Sequence, residues 1–254
     1  MRNNILITGA SSGLGAGMAR IFAASGHNLA LTARRVDRLE ALKAELLAAH
    51  GDIEVEVYAL DVNEHDQVFE VFKKATKDLG GLDRVIVNAG LGKGGRIGTG
   101  KFEANRETAM TNFVAALAQC EAAMEHFYER KAGHLVVISS MSAMRGMPSS
   151  MNTYAATKAG IAHIAEGIRS DLIGHKDYDI KVTTIYPGYI ASEMNEKVGQ
   201  EQRLMVDTET GCRALVKAIT KEPADAAVPP WPWAALGVVM KNAPLSVVRK
   251  MVGT

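Results

Sequence analysis

Tyr154 and Lys158 are the side chains in this sequence that are best suited to acid–base chemistry. They stand one helical turn apart, so on a helix they share a face and the Lys158 ammonium can lie near the Tyr154 phenol. A free tyrosine has a pKa of about 10, and a nearby cation favours the phenolate and lowers that pKa. The pair therefore predicts a phenol that exchanges a proton with a carbonyl or alcohol oxygen. The alternative is a surface pair, since tyrosine and lysine are often found one turn apart.

A glycine-rich turn near the N-terminus predicts a site for a phosphate-bearing ligand. The run Thr8-Gly9-Ala10-Ser11-Ser12-Gly13-Leu14-Gly15 follows an apolar stretch, residues 5–8, and precedes a helical pattern at Met18, Ile21 and Phe22. Backbone N–H groups and the positive end of the helix dipole attract a pyrophosphate there, and glycine lets the chain approach it closely. A glycine-rich connection that binds no ligand is the alternative for this motif taken alone.

The end of the second apolar run indicates which dinucleotide binds. A ribose with two free hydroxyls is held by an acid about 20 residues beyond the glycines, whereas a 2′-phosphate needs a cation. The sequence there is Leu31-Thr32-Ala33-Arg34-Arg35, with two arginines and no acid. NADP is therefore favoured over NAD. The alternative is that Arg34 and Arg35 form an ordinary solvated turn before a helix.

Composition limits the classes of protein to be considered. The chain has 254 residues, 47% of them hydrophobic, and a net charge of +1, which fits one domain, residues 1–254, and gives no case for nucleic acid binding. Cys120 and Cys212 form no C-x-x-C pair, so we expect buried free thiols in a reducing cytoplasm. The histidines lack metal-ligand spacing and no signal segment is visible, so no metal site and no secretion are predicted.

Apolar runs that predict strands alternate with amphipathic patterns that predict helices. A capping box at Asp37-Arg38-Leu39-Glu40 predicts the start of the second helix at Asp37. Repeated βα units with strands apolar enough to be buried on both faces predict an α/β fold, a single doubly wound, Rossmann-type parallel sheet with helices on both faces. The predicted strands are residues 5–8, 28–32, 53–60, 84–88, 134–139 and 180–186, and the helices after the first are residues 37–51, 64–79, 103–126, 154–172 and 208–221.

Taken together, these motifs resemble the short-chain dehydrogenase/reductase family over about residues 3–194. The matching residues stand in family order: Thr8-Gly9-x-x-x-Gly13-x-Gly15, Asp61-Val62, Asn88-Ala89-Gly90, Asn112, Ser140, Tyr154-x-x-x-Lys158 and Pro187-Gly188. The resemblance implies that Tyr154 is the acid/base, that Lys158 binds the nicotinamide ribose and tunes the phenol, that Ser140 steadies the substrate oxygen, and that Asn112 holds a relay water.

The predicted cofactor contacts combine the turn and the arginines with positions that the resemblance adds. The turn and arginines supply Gly9, Ser11, Ser12, Gly13, Leu14, Gly15, Arg34 and Arg35. The resemblance adds Asp61 and Val62 at the adenine, Asn88, Ala89 and Gly90 beneath the cofactor, Pro187, Gly188, Ile190 and Ser192 at the nicotinamide carboxamide, and Tyr154 with Lys158.

The sequence departs from the family pattern around the serine. Ser140 stands 14 residues before Tyr154 and Ser142 stands 12 before it, whereas thirteen is common in the family. Ser140 is preferred because it follows the predicted strand directly, and Ser142 stays open as the alternative. Ser139, at the strand end itself, is expected to support the backbone.

The C-terminal segment is the second departure. After Thr208 we expect no final strand and no glycine-rich ending, but an apolar tail that begins Val228-Pro229-Pro230-Trp231-Pro232-Trp233 and is too short and broken to span a bilayer. It could cover the substrate pocket, build a subunit interface or, least favoured, lie on a membrane surface. Family members are often oligomers, so a homo-dimer or homo-tetramer is expected.

The sequence therefore predicts an NADP-dependent oxidoreductase that interconverts a small ketone or aldehyde with the corresponding alcohol. Alternatives are a non-catalytic dinucleotide sensor or scaffold, and an epimerase or dehydratase. Substrate choice is expected to come from residues 91–100, 141–151 and 189–204. Their methionines suggest an adaptable apolar wall, and Arg96 or Arg145 could bind an anion. These methionines are Met141, Met144, Met147, Met151 and Met194.

Overall fold

The computed structural model describes residues 2–193 and 204–252, in which strands alternate with helices. The strands are β1 Asn4–Thr8, β2 Asn28–Ala33, β3 Val55–Ala59, β4 Arg84–Val87, β5 Ala132–Ile138, β6 Asp179–Pro187 and β7 Asp225–Val228. The helices are α1 Gly13–Ala24, α2 Val36–Ala49, α3 His65–Asp78, α4 Phe102–Ala109, α5 Ala115–Arg130, α6 Met151–Leu172, α7 Thr208–Thr220, α8 Pro230–Asn242 and α9 Leu245–Val252.

The strands form one parallel sheet in the order β3-β2-β1-β4-β5-β6-β7. The chain moves outward from β1 to β3 and then returns to place β4 on the other side of β1. In such sheets the crevice at the reversal, outside the carboxyl ends of the strands, is where ligands bind. The predicted doubly wound parallel sheet is confirmed.

Alternate residues of the strands face two separate apolar layers. In β1, Ile5 and Ile7 lie in the layer with Phe22 of α1, whereas Leu6 lies in the layer with Phe127 of α5. All five side chains are fully buried. Since successive side chains of a strand point to opposite faces, this pattern requires helices on both sides of the sheet. Helices α1, α2 and α7 cover one face, and α3, α5 and α6 cover the other.

The second helix does not begin as predicted. Helix α2 starts at Val36, Arg35 takes the N-cap position, and no side chain makes a capping hydrogen bond. The predicted capping box was therefore wrong: Asp37 lies inside the first turn, where its charge favours the helix dipole without capping it.

The expectation that the chain lacks a final strand was also wrong. Strand β7 pairs in parallel with the edge strand β6, with Thr184 opposite Asp225 and Pro187 opposite Val228. Its sequence, Asp-Ala-Ala-Val, has one β-branched residue and no alternation, so it carries almost no strand signal of its own. The open edge of β6 supplies the hydrogen bonds that make it a strand.

A buried charged network closes the amino end of the sheet. Arg84 of β4 donates from Nε to His134 Nδ1 at 2.8 Å and from Nη2 to Glu222 Oε1 at 3.1 Å. His134 Nε2 lies 2.8 Å from Thr183 Oγ1, which itself donates to the Pro223 carbonyl oxygen. His134 must therefore carry its proton on Nε2 and be neutral. Burial and the nearby arginine lower the pKa of His134 to about 2.

Candidate active site

Helix α6 brings Tyr154 and Lys158 together at the carboxyl end of β5. The Lys158 Nζ atom lies 5.9 Å from the centre of the Tyr154 ring and donates a hydrogen bond of 2.8 Å to the Ile138 carbonyl oxygen. The Lys158 side chain is buried, and burial lowers its pKa to about 8. The predicted pair thus shares one face of the helix and one desolvated corner of the molecule.

The pKa of the Tyr154 phenol differs from the expectation. Burial raises this pKa above its usual value, and a hydrogen bond with Ser140 acts in the opposite direction without cancelling it. The expected lowering by Lys158 was wrong for the structure as it stands, because desolvation of the phenolate outweighs the neighbouring groups. The Tyr154 phenol therefore carries its proton at neutral pH.

The serines that follow β5 have different partners. Ser140 Oγ accepts hydrogen bonds from the Ser142 backbone N–H at 3.2 Å and from Ser142 Oγ at 3.0 Å, and it begins a short 3-10 turn, Met141–Met144. Ser139 Oγ donates to the Lys158 carbonyl oxygen at 2.7 Å, so it supports the backbone of α6 as expected. Of the two candidates, Ser140 is the serine that lies close enough to the Tyr154 phenol to affect its pKa.

Asn112 lies in a π-helical turn, Met110–Val114, between α4 and α5. The sequence predicted an uninterrupted helix here; such turns occur often at functional sites. Asn112 is fully buried, accepts from the Leu91 N–H at 2.7 Å and donates to the Leu91 carbonyl oxygen at 2.8 Å. A Cβ added to Gly90 would stand 3.4 Å from Asn112 Oδ1 and 3.5 Å from Lys158 Nζ. Both side chains thus border Gly90.

The glycine turn has the geometry of an anion cradle. Gly9 and Gly13 have φ values of +66° and +52°, which favour glycine, and a Cβ on Gly15 would lie 2.3 Å from the Gly9 carbonyl oxygen. Helix α1 begins at Gly13, its N-cap Ser12 makes no side-chain capping bond, and its first turn contains no acid. The first N–H groups of a helix have no partner within it. These residues therefore fit a pyrophosphate.

Thr8, which the sequence analysis did not assign, fastens this turn to the end of β4. Its hydroxyl oxygen accepts from the N–H groups of Asn88 and Ala89, each at 3.0 Å. The Asn88 side chain donates to the Thr8 carbonyl oxygen at 2.8 Å. Asn88 and Ala89 thus hold the turn in position. A threonine at the end of an apolar run was the signal available in the sequence, and the structure buries it fully.

Of the two predicted arginines, Arg34 pairs with Asp61 and not with the serines of the turn. Its side chain is 71% exposed, and its guanidinium lies 3.7 Å from the Asp61 carboxylate. Asp61 also accepts from the backbone and side-chain nitrogens of Asn63. Val62 is buried in the core layer of α3 and α5, so its side chain serves packing.

Arg35 and Arg38 instead converge beside the serines of the turn. Arg35 donates to Ser11 Oγ at 3.2 Å, to Ser12 Oγ at 2.6 Å and to the Glu193 carboxylate at 3.0 Å. Arg38, which the sequence analysis did not single out, binds the other oxygen of Glu193. Hydrogen bonds from Arg38, Arg35 and Ser12 lower the pKa of Glu193 to about 2. The structure thus assembles two guanidinium groups around one anion.

The segment that follows β6 lies against the C-terminal tail. Pro187 ends β6, and a Cβ on Gly188 would lie 2.0 Å from Trp233 Cε2. Ile190 is buried against Gly211 of α7. A Cβ added to Gly13 would lie 3.5 Å from Ser192 Cβ. Of the predicted carboxamide contacts, Gly188 therefore meets the tail and Ser192 meets the glycine turn.

Helix α8 also covers the loop that carries Ser140. A Cβ on Gly237 would lie 3.0 Å from Met141 Cε, and Met240 packs in a small cluster with Met147. Arg145, considered above as an anion ligand, donates to the Lys241 carbonyl oxygen at 3.1 Å. One face of α8 thus forms a wall beside the candidate active site. Met194 falls within residues 194–203, outside the described residues.

Both cysteines are buried and free, as expected. Burial raises the pKa of Cys120 to about 12 and that of Cys212 to about 11, so both are neutral thiols. The Cys212 thiol contacts the Leu14 carbonyl oxygen at 3.7 Å, which ties α7 to the start of α1. Within residues 2–193 and 204–252 no group of three or more His, Cys, Asp or Glu side chains is arranged to hold a metal ion.

Comparison with known proteins decides the family. A family model for short chain dehydrogenase matches residues 3–203. The chain belongs to the short-chain dehydrogenase family. An uncharacterized oxidoreductase of Mycobacterium tuberculosis is 52% identical over 249 residues, which cover 98% of this chain and 97% of that protein. The family model ends before α7, whereas this oxidoreductase relative extends along nearly the whole chain.

Solved short-chain dehydrogenases share the fold. A short-chain dehydrogenase from Sphingobium yanoikuyae in complex with NADPH has 25% identity and a TM-score of 0.81, covering 98% of this chain and 94% of that one. A short chain dehydrogenase/reductase from Burkholderia phymatum in complex with NAD has 20% identity and a TM-score of 0.80, covering 93% and 91%, and shows the fold alone. Neighbours of this short-chain dehydrogenase thus include complexes with either cofactor.

Proposed function

We propose that this short-chain dehydrogenase interconverts a ketone or aldehyde with the corresponding alcohol, with NADP as the cofactor and Tyr154 as the acid/base. The observation that carries the proposal is the position of the Tyr154 phenol, which lies against Ser140 and the buried Lys158 at the carboxyl end of β5. This is the end of the sheet where the glycine turn forms its cradle. When bound there, the nicotinamide supplies or accepts the hydride.

In the proposed mechanism the protein moves one proton and holds the reacting oxygen. Tyr154 gives its phenol proton to the carbonyl oxygen in reduction, or accepts the proton of the alcohol in oxidation. Ser140, which already contacts the phenol, orients the same oxygen. The Lys158 ammonium favours the phenolate that is formed, because an opposite charge nearby stabilises an anion.

Asn112 supports the return of the proton in this proposal. Its side chain is fully buried, holds the Leu91 backbone and borders Gly90 together with Lys158. Asn112 would hold the water that reprotonates the site through Lys158. Because both side-chain groups of Asn112 bind Leu91, its orientation is set before any substrate arrives.

The preference for NADP over NAD rests on Arg35 and Arg38. Both guanidinium groups bind one anion beside Ser11 and Ser12, and a 2′-phosphate, like that carboxylate, offers negative charge and acceptor oxygens. The NADPH complex of the Sphingobium relative supports this choice. Arg34, exposed and directed to Asp61, has the smaller part.

Cofactor titrations test this preference. Loss of charge-assisted hydrogen bonds should make Arg35→Ala or Arg38→Ala weaken NADPH binding about tenfold or more, with little change for NADH. Arg34→Ala is the matched control and should have a smaller effect on NADPH. Equal losses for both cofactors in the Arg35 variant, measured by the fluorescence of the reduced nicotinamide, would remove the NADP preference.

The reaction itself is tested by NADPH consumption with a panel of ketones and aldehydes, and with NADH as a parallel. The wild-type chain should turn over at least one compound, and Tyr154→Phe should bind NADPH normally without turnover. Tyr178→Phe, a tyrosine at the far end of the sheet, is the control and should stay active. Tight NADPH binding without any turnover would favour the dinucleotide sensor, and an active Tyr154→Phe variant would exclude the tyrosine mechanism. The oligomeric state and the cytoplasmic location stay predictions.

A further inference from the structure

Helix α8 is apolar on both of its faces. From Trp231 to Met240 it contains no charged residue and no polar side chain apart from the indole N–H groups. Trp233, Gly237 and Met240 are buried against the body of the protein, whereas Val238 on the other face is 64% exposed. A helix that is apolar all round is normally covered on all sides. We therefore expect a partner to cover the outer face of α8.

Further exposed apolar side chains lie before and after this helix face in the chain. Trp231 is 80% exposed, and in α9 Leu245 is 60% exposed while Val248 is buried and holds α9 in place. We refer to the exposed set as the outer tail surface: Trp231, Ala234, Ala235, Val238, Val239, Leu245, Val247 and Met251.

The charged residues within the tail segment itself all have one sign. Residues 226–254 contain Lys241, Arg249 and Lys250 and no Asp or Glu. A second copy of this chain, packed symmetrically on the same surface, would bring these cations toward their own copies, which costs affinity. A partner with an apolar interior and a negatively charged surface would match both the exposed apolar side chains and the cations of the tail.

We propose that the outer tail surface binds the headgroup region of an anionic lipid bilayer. Apolar side chains would enter the boundary between headgroups and acyl chains, the exposed Lys241 and Lys250 would meet anionic headgroups, and Trp231 has the side chain favoured at that depth. No helix in the described part of the chain is both long enough and apolar enough to cross a bilayer. The tail would therefore lie on the surface of the membrane.

The binding would turn the candidate active site toward the membrane. The inner face of α8 contacts Met141 of the serine loop and Gly188 after β6, and the outer face of the same helix would meet the lipid. One helix thus separates the bilayer from the loop that carries Ser140. This inference does not depend on the proposed reaction, because vesicle binding needs neither substrate nor cofactor.

Co-sedimentation of the full chain with vesicles tests the proposal. The chain should bind vesicles that contain phosphatidylglycerol, bind phosphatidylcholine vesicles much less, and be released by high salt. Val238→Glu should abolish binding because it places a carboxylate in the apolar face. Lys250→Ala should weaken binding by about fivefold, the loss expected for one basic residue. Ile173→Glu, the same charge change at a 79% exposed apolar residue at the other end of the sheet, should bind like wild type.

Three results would overturn the proposal. One is the absence of sedimentation with anionic vesicles, and another is equal binding by wild type, Val238→Glu and Lys250→Ala. The third comes from sedimentation velocity: a wild-type dimer that Val238→Glu converts to a folded monomer, without vesicle binding, would make this surface a subunit interface. Lys250→Ala changes only an exposed side chain, so it keeps the test valid if Val238→Glu fails to fold.

Discussion

Each end of the sheet buries a cation, and the two cations differ in their hydrogen-bonding and ionic partners. At the amino end Arg84 is buried, but it binds the Glu222 carboxylate and the His134 ring. At the carboxyl end Lys158 is buried with a hydrogen bond to the Ile138 carbonyl oxygen, and no carboxylate of the described residues pairs with it. Removing a charge from water is costly unless a counter-ion compensates. Arg84 therefore supports the fold, whereas the burial of Lys158 costs stability.

Burial lowers the pKa of both cations, and the difference lies in what opposes that effect. For Arg84 the attraction of Glu222 raises the pKa and offsets part of the desolvation. For Lys158 nothing offsets it, and the pKa falls to about 8. Groups perturbed in this way and placed at a ligand-binding edge are typical of functional sites. We therefore expect substitutions at the two cations to separate activity from stability.

The largest effect is expected for Lys158→Met. With a substrate found in the carbonyl panel, kcat/KM should fall by roughly 10²- to 10⁴-fold, the range of a lost contribution to proton transfer. The free energy of unfolding should stay the same or rise, because an apolar side chain replaces a buried charge without a counter-ion. Urea unfolding and initial rates measure the two quantities. A marked loss of stability would mean that Lys158 supports the fold in the way that Arg84 does.

Arg84→Met should show the opposite behaviour. The free energy of unfolding should fall by about 3–5 kcal/mol, because the carboxylate of Glu222 and the ring of His134 lose a buried partner. NADPH affinity of the folded fraction should not change. Arg106→Met is the control: Arg106 pairs with Glu103 on the surface, so its loss should change stability by less than about 1 kcal/mol. Equal losses in the two variants would show that the buried network adds no stability.

Acid should weaken the amino end through His134. The unfolded chain binds a proton at this histidine below pH 6.5, whereas the folded chain resists it down to about pH 2. The free energy of unfolding should therefore fall with decreasing pH, by up to about 1.4 kcal/mol for each pH unit below 6.5. Urea unfolding at several pH values measures the slope. His134→Gln should reduce it, whereas the exposed His175→Gln should keep the wild-type slope.

The smallest effect is expected for alanine substitutions at two glycines of α6. Gly167→Ala should raise the free energy of unfolding by about 0.5–1 kcal/mol, because alanine favours a helix and nothing lies within 4 Å of the new Cβ. At Gly160 the new Cβ would lie 2.8 Å from Phe113 in the π-helical turn that holds Asn112. Gly160→Ala should lose this gain and reduce turnover. A similar gain at both positions, seen in thermal melts, would mean that the π-helical turn adjusts freely.

Much of the candidate site could be predicted because its chemistry depends on short spacings. Tyr154 and Lys158 are four residues apart, and the glycine turn lies within a single run, so a helix and a turn bring them together without help from the rest of the chain. Whether Arg34 or Arg35 faces the turn could not be predicted, since that depends on how β2 ends and where α2 begins.

The sequence pattern could not predict contacts between segments that are distant in the chain. Arg38 meets Glu193 from 155 positions away, and Arg84 meets Glu222 from 138 positions away. Strand β7 was missed for a related reason, since the edge of β6 makes it a strand and its own residues do not. Local periodicity reports the elements, whereas these contacts arise only after the sheet has assembled.

The Glu193 contact changes what cofactor affinity measures. Because Arg35 and Arg38 already bind this carboxylate, a phosphate that enters between them exchanges one anion for another. The affinity then reflects the difference between two competing anions, which is smaller than the full attraction of two cations. Glu193 follows β6 on the chain, so in the proposed complex the exchange would also release this residue from both arginines.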